Sequence, residues 1–168
     1  NTYICVSDSY YIENPFNQYE YITYYSGYRG NLITEEIYAD VDSDGKIVCM
    51  DNKPVDNGYI LMGHSFWKKE FSDSFINVME DIRDDGKYNN SYWEILLKDK
   101  LSDLPSMYVR EYKKGNIFEF DYFEELRKFD SQYLGYTHSE IIRNIKLVFR
   151  CDEEDIVAFR NVSEGMTN

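Results

Sequence analysis

Short runs of aromatic and β-branched residues, separated by Gly, Pro, Asn and Asp, fill the first part of the chain. In TYICVSD the uncharged, β-favouring Tyr3, Ile4, Cys5 and Val6 predict a buried strand that ends at Ser7-Asp8. Pro15 blocks a helix in the following YYIENPF. YEYITYYSGY and EEIYADV predict two more strands, and KIVCM a third after the turn SDGK, Ser43 to Lys46. DNKPVDNG reads as a loop, and YILMGHSFW as a strand running into a turn. Helical spacing comes later. Phe75, Val78, Met79 and Ile82 repeat at that spacing in SDSFINVMEDIRDD, with Ser72 as the predicted cap. YWEILLKDKLSDL predicts a second helix closed by Pro105. SMYVREY and NIFEF predict strands on either side of KKGN, and YFEELRKFD a short helix. Thr137 and Glu140 in THSE form a capping box for a last helix through Ile141, Ile142, Ile145 and Val148. Strands alternating with helices predict an α/β sandwich with a sheet of mixed strand order. No internal repeat or low-complexity segment interrupts the pattern.

The totals narrow the partners. The chain has 168 residues, 43% hydrophobic and 17% aromatic, enough for one compact domain with a core. Its net charge of −13 argues against nonspecific nucleic-acid binding, which needs a basic surface. A phosphate compound remains open, because a cation held by carboxylates supplies positive charge. No apolar run reaches the length of a membrane span and no signal peptide is visible, so membrane insertion is not expected. A first residue other than Met predicts a processed or trimmed N-terminus. Cys5, Cys49 and Cys151 match neither a zinc spacing nor a disulfide framework, which predicts a reduced, cytoplasmic setting.

Several stretches carry candidate chemistry. DVDSDGKIVCMD, Asp40 to Asp51, spaces its acids as a calcium loop does. Such a loop needs a helix on each side, and these flanks read as strands meeting at SDGK, which predicts a hairpin turn instead. A calcium-binding or plain interaction module is the non-enzymatic alternative, and a hairpin rules out its calcium form. Asp8 follows a strand, at the end where α/β sheets place ligand contacts. It also suits the start of a turn. In FEFD, Phe118 to Asp121, strand alternation puts Glu119 and Asp121 on one face and the two Phe on the other. That carboxylate pair suits Mg²⁺, or water on a polar strand face. HSFW and SYWE hold the two Trp, Trp67 and Trp93, with Tyr92 and Glu94. Aromatic faces beside a carboxylate suit a quaternary ammonium ion, and they also suit a core. His64 and His138 stand alone, with no spacing that suggests nucleophilic catalysis.

TYICVSDSYYIENPF, YILMGHSFWKKEFSDSF and YWEILLKDKLSDLPSMYVREYKKGNIFEFDYFEELRKFD, in this order, resemble the bacterial CTP:phosphocholine cytidylyltransferases. These are nucleotidyltransferases, and the likeness is to those fused to a choline kinase-type domain. The resemblance covers roughly Asn1 to Asp130. It implies a mixed-sheet, Rossmann-like nucleotidyltransferase fold truncated at the N-terminus, and a transfer of CMP from CTP to phosphocholine giving CDP-choline and pyrophosphate. It implies Mg²⁺ as cofactor, with Asp8, Glu119 and Asp121 as ligands and Asp8 and Asp121 as catalytic residues. Trp67, Tyr92, Trp93 and Glu94 fall where the family receives the choline headgroup, and Tyr25 is a further candidate. A nucleotidyltransferase acting on another small phosphate or a sugar phosphate is the alternative within the class.

The chain departs from the family at both ends. The glycine-rich loop with its Arg and the Pro-Lys motif, which bind the nucleotide in the family, are not in this sequence. VSEGMTN, Val162 to Asn168, resembles the first turn of the choline or aminoglycoside kinase-like domain. The expected organisation is therefore a nucleotidyltransferase part at 1–130 and a linker helix with the kinase-like start at 131–168. The expectation is a piece of a longer enzyme, inactive by itself, with a sheet edge that invites a homodimer or strand-swapped assembly.

Overall fold

The computed structural model describes residues 1–30, 36–54, 58–84, 86–130, 133, 140–151 and 155. Among them are the strands β1 (Thr2–Cys5), β2 (Ser9–Tyr11), β3 (Tyr24–Arg29), β4 (Tyr38–Val41), β5 (Ile47–Asp51), β6 (Tyr59–Trp67), β7 (Tyr108–Glu111) and β8 (Ile117–Glu119). The helices are α1 (Lys69–Asp81), α2 (Trp93–Asp99), α3 (Phe123–Phe129) and α4 (Glu140–Phe149). Two compact units divide the chain, Asn1–Glu119 and Phe120–Asn168.

The first unit is built on β6. Its nine residues combine Tyr, Ile, Leu, Phe and Trp, a composition that suits a strand covered on both faces. One edge pairs antiparallel with β3, from Tyr24 opposite Phe66 to Arg29 opposite Tyr59. The main sheet runs β5-β4-β6-β3-β7, and β1 adds to β6 outside that path. β3 and β7 are parallel, and β4 pairs antiparallel with β5 and with β6. The sheet is therefore mixed, as the pattern predicted. Among the described residues strands and helices do not alternate evenly, because β1 to β6 all precede α1.

SDGK is a hairpin tip. Asp42 Oδ1 accepts the N–H groups of Asp44 and Lys46, and Gly45 takes φ +81°, a conformation that favours glycine. A hairpin between two strands removes the calcium-loop reading. The tip also reaches β7: Ile47 N–H donates to Met107 O at 2.8 Å and Val109 N–H to Gly45 O at 3.0 Å.

Strand alternation sorts the side chains into two layers. Tyr25, Leu61, Trp67, Ile47 and Met50 form one core with Phe71 and Phe75 of α1 and Leu96 and Leu97 of α2. α1 begins at Lys69, three residues before its predicted start. Ser72 lies inside it and donates to Lys68 O, so it is not the cap, and Asn1 Oδ1 accepts the Lys69 N–H instead. His64 and Phe66 belong to the other layer, with Tyr3 and Tyr24. β1 has exposed ends, Thr2 and Cys5, and a half-buried centre, Tyr3 and Ile4, so it is not the buried strand expected. β3 starts at Tyr24, after an exposed Tyr21 and Ile22. β6 runs through HSFW without turning.

His64 is 1% exposed and ringed by Tyr3, Tyr11, Phe16, Tyr24 and Tyr112. Its Nε2 lies 3.3 Å from the Tyr24 hydroxyl, and its Nδ1 has no partner. Nearby, Arg110 makes a bidentate pair with Glu20 and places Cζ 3.7 Å from the Tyr24 ring centroid. Tyr3 and Asn17 also donate to Glu20, tying the loop after β2 to the sheet.

In the second unit, Tyr122 N–H donates to Glu125 Oε2 at the start of α3. The Phe120 and Phe129 rings lie 5.2 Å apart, and Arg127 stacks on Phe123. Thr137, His138 and Val162 to Asn168 lie outside the described residues.

Burial, and then the charge of Arg110, push the His64 imidazole from 6.5 down to about 4. Its folded value lies below its unfolded one, so the unfolded chain takes the proton first. That contribution is intact above pH 6.5 and lost as the pH falls toward 4. The hydrogen bonds from Arg110 hold the Glu20 carboxyl at about 2 against an ordinary 4.5, so its contribution is lost later, between those values. Thermal unfolding followed against pH should show a first loss of about 2–3 kcal/mol from His64. In His64→Phe that first loss should vanish while the second remains; an unchanged profile would refute the assignment.

Candidate active site

On its other edge β6 changes partners. β1 pairs with its C-terminal half, from Thr2 opposite Trp67 to Cys5 opposite His64. β4 pairs with its start, Tyr38 opposite Ile60 and Ala39 opposite Tyr59. Both run antiparallel to β6, so they lie end to end along one edge. Between them, Leu61 N–H still reaches Ile37 O and Val6 N–H reaches Gly63 O. The Gly63 N–H has no strand to meet and donates to Glu119 Oε1 at 2.8 Å. Gly63 has φ +80°, and a Cβ there would lie 2.9 Å from Ile117 Cγ2. A break where neighbouring strands part is a place where sheets receive ligands.

The side chains around this break come from distant parts of the sequence. Tyr25 of β3 lies opposite Ser65 and stacks on Trp93, centroids 5.7 Å apart and planes at 19°. Trp93 meets Trp67 edge to face at 5.4 Å, and Trp67 is wedged against Phe71 and Phe75. Trp67 is 5% exposed and is therefore a core residue that also floors the cluster, whereas Trp93 keeps part of its surface open. Glu94 and the Tyr25 phenol interact electrostatically. Burial pushes the Glu94 carboxyl above its ordinary range, and the Glu119 charge adds to this. Burial also raises the Tyr25 phenol well above 10, with Glu94, Glu119 and Glu36 adding to the rise. Trp67 Nε1 and Ser65 Oγ are buried without a hydrogen-bond partner in the protein.

The predicted residues thus separate. Tyr25, Trp67, Trp93 and Glu94 converge, and the electrostatics bring Glu119 into their neighbourhood. Asp8 is exposed on the turn between β1 and β2, next to Ser9, which pairs with Glu119 and donates to its Oε1 at 3.2 Å. Tyr92 precedes α2 and is 82% exposed. β8 ends at Glu119, so Asp121 does not share a strand face with it; Asp121 sits in a bend of the second unit. Among the described residues no three His, Cys, Asp or Glu side chains gather as a metal site. Sequence reading did not single out Gly63 or Ser65. Only Gly63 carried a signal, a lone glycine inside an apolar strand.

Comparison with protein-family models and with curated protein sequences finds no match. Among solved structures, the chain is similar to the CTP:phosphocholine cytidylyltransferase from Streptococcus pneumoniae, with a TM-score of 0.69 and 24% identity. That alignment covers 77% of this chain and 56% of the other. The inositol-1-phosphate CTP transferase from T. maritima aligns at a TM-score of 0.49 and 16% identity, over 86% of this chain and 55% of the other. The fold is a nucleotidyltransferase fold. The chain spans little more than half the length of the structures it matches. No helix among the described residues is long and apolar enough to cross a membrane.

Gly63→Ala should lower stability by about 1–3 kcal/mol, because it forces a side chain into a left-handed backbone against Ile117. Chemical denaturation checks the size, and a loss below a few tenths of a kcal/mol would refute the strain.

Proposed function

We propose that the chain is the acceptor- and metal-binding part of a nucleotidyltransferase that moves CMP from CTP to phosphocholine, releasing pyrophosphate. The observation that carries this reading is the Tyr25–Trp93 stack, with Trp67 against Trp93 and the Glu94 carboxyl acting on the Tyr25 phenol. A trimethylammonium group gains from aromatic faces and from a neighbouring carboxylate, and burial makes both attractions stronger. A cation beside Glu94 also favours the ionised carboxylate that burial disfavours. The likeness of fold to a cytidylyltransferase supports CTP as the donor.

In the proposed reaction a phosphate oxygen of phosphocholine attacks the α-phosphorus of CTP. The new P–O bond forms as the bond to the β-phosphate breaks and pyrophosphate leaves. The work of this chain's residues is positioning and electrostatics. The ring cluster holds the headgroup, and the acids near Gly63 define where the phosphates meet the protein. Asp8 and Glu119 would hold Mg²⁺. Both are oxygen donors, Asp8 adjoins Ser9, which lies opposite Glu119, and Mg²⁺ takes one or two carboxylates and fills its shell with water and phosphate oxygens. Held there, Mg²⁺ would neutralise charge on the triphosphate.

One observation favours a different small phosphate or sugar phosphate as the second reading. Trp67 Nε1 and Ser65 Oγ are buried donors without a protein acceptor, and a hydroxylated ligand offers oxygens that trimethylammonium lacks.

Calorimetric titration with Mg²⁺ present tests these readings. Phosphocholine should bind more tightly than phosphoethanolamine, and Trp93→Ala should weaken it by about tenfold, the worth of one good cation–π contact in a desolvated site. A preference for a sugar phosphate would move the assignment to the second reading, and equal binding of all these ligands would refute the cage.

A further inference from the structure

We propose that the Ser65 hydroxyl binds the phosphate of the acceptor, donating to one of its oxygens between the ring cluster and the Gly63 break. The proposal rests on the proposed acceptor site and adds a residue to it. Pairing register fixes where Ser65 sits. It lies opposite Ile4 of β1 on one side and opposite Tyr25 of β3 on the other. Residues directly opposite in antiparallel strands share a face, and so do residues two apart on one strand. Ser65 therefore shares its face with Ile4, Tyr25 and Trp67. It lies one step of about 7 Å from Trp67 in one direction along β6 and from Gly63 in the other. The stacked rings are at the first end of that path, and the Gly63 N–H bond to Glu119 is at the second. In phosphocholine a short O–C–C bridge joins the phosphorus to the cationic nitrogen. A headgroup on the rings thus brings its phosphate to the middle position.

The hydroxyl at that position is unspent. Ser65 is 0% exposed, and its Oγ has no hydrogen-bond partner in the protein. The two other buried serine and threonine hydroxyls among the described residues are both engaged. Ser26 of β3 donates to His64 O at 2.6 Å and accepts the His64 N–H at 3.0 Å. Thr23 Oγ1 accepts the Lys68 N–H at 3.1 Å. An unpaired buried hydroxyl destabilises the free chain, and alanine would fill the same place without that cost. A phosphate oxygen removes the cost and adds a charge-assisted hydrogen bond. No water reaches the hydroxyl in the free chain, so a ligand must part its cover. Ile4 and Trp93 are the partly exposed members of the cluster, and the ligand enters past them.

Calorimetric titration of phosphocholine and of choline into the wild-type chain and into Ser65→Ala, with Mg²⁺ present, tests the assignment. Ser65→Ala should weaken phosphocholine about tenfold or more, the worth of one hydrogen bond to a charged group, and leave choline unchanged. Thermal unfolding without ligand is the second readout. Removing an unpaired hydroxyl should leave the unfolding temperature of Ser65→Ala at or above that of the wild type. A fall of several degrees would mean that the hydroxyl serves the fold, and would overturn the assignment. Equal loss for both ligands, or no loss, also overturns the role of Ser65, while phosphocholine binding by the wild type upholds the acceptor reading. If the wild type takes up neither choline nor phosphocholine but binds inorganic phosphate, and Ser65→Ala weakens that binding, the headgroup reading fails and the phosphate contact stands. Wild-type indifference to all three ligands overturns the two together.

Discussion

The first unit depends on one strand meeting two partners along a single edge. β6 is long enough for β4 to pair with its start and β1 with its end. Every backbone N–H between them needs an acceptor, because a buried orphan costs about 1–3 kcal/mol. Leu61 finds one in Ile37, and Gly63 finds one in the Glu119 carboxylate. That bond substitutes a side chain for a missing strand. It requires the positive φ of Gly63, and it fixes an acid at the point where the sheet opens.

The two faces of the sheet then take different roles. One carries a continuous apolar core under α1 and α2, and its edge near the break becomes the ring cluster. Trp67 illustrates the join: it is packed against Phe71 and Phe75 and also touches Trp93. The opposite face buries His64 among aromatic rings and closes over it with the Arg110–Glu20 pair. A neutral imidazole and a bidentate ion pair hold the loop after β2, and that loop follows the turn bearing Asp8.

Much of this was legible in the sequence. The hairpin at SDGK follows from local chemistry, since an Asp side chain and a glycine complete the turn within a few residues. The helices near Phe75 and near Trp93 follow from their apolar spacing, and the order of the motifs pointed to the fold. Trp67, Trp93 and Glu94 were visible as aromatic and acidic residues, although nothing in their spacing said that they would meet Tyr25.

The sequence by itself determined the local elements, the acidic surface and the residue types available for a site, because these depend on neighbours a few positions apart. Tertiary structure alone decided which of them assemble. Ser72 is a plausible cap, yet the helix extends past it because Asn1 satisfies its first turn from far along the chain. Asp121 alternates with Glu119 on paper, but β8 ends when its partner β2 ends, and the face they would share stops there. Gly63 meets Glu119 only because β1 and β4 abut along β6. Long-range pairing register is a property of the whole sheet, and no window of the sequence contains it.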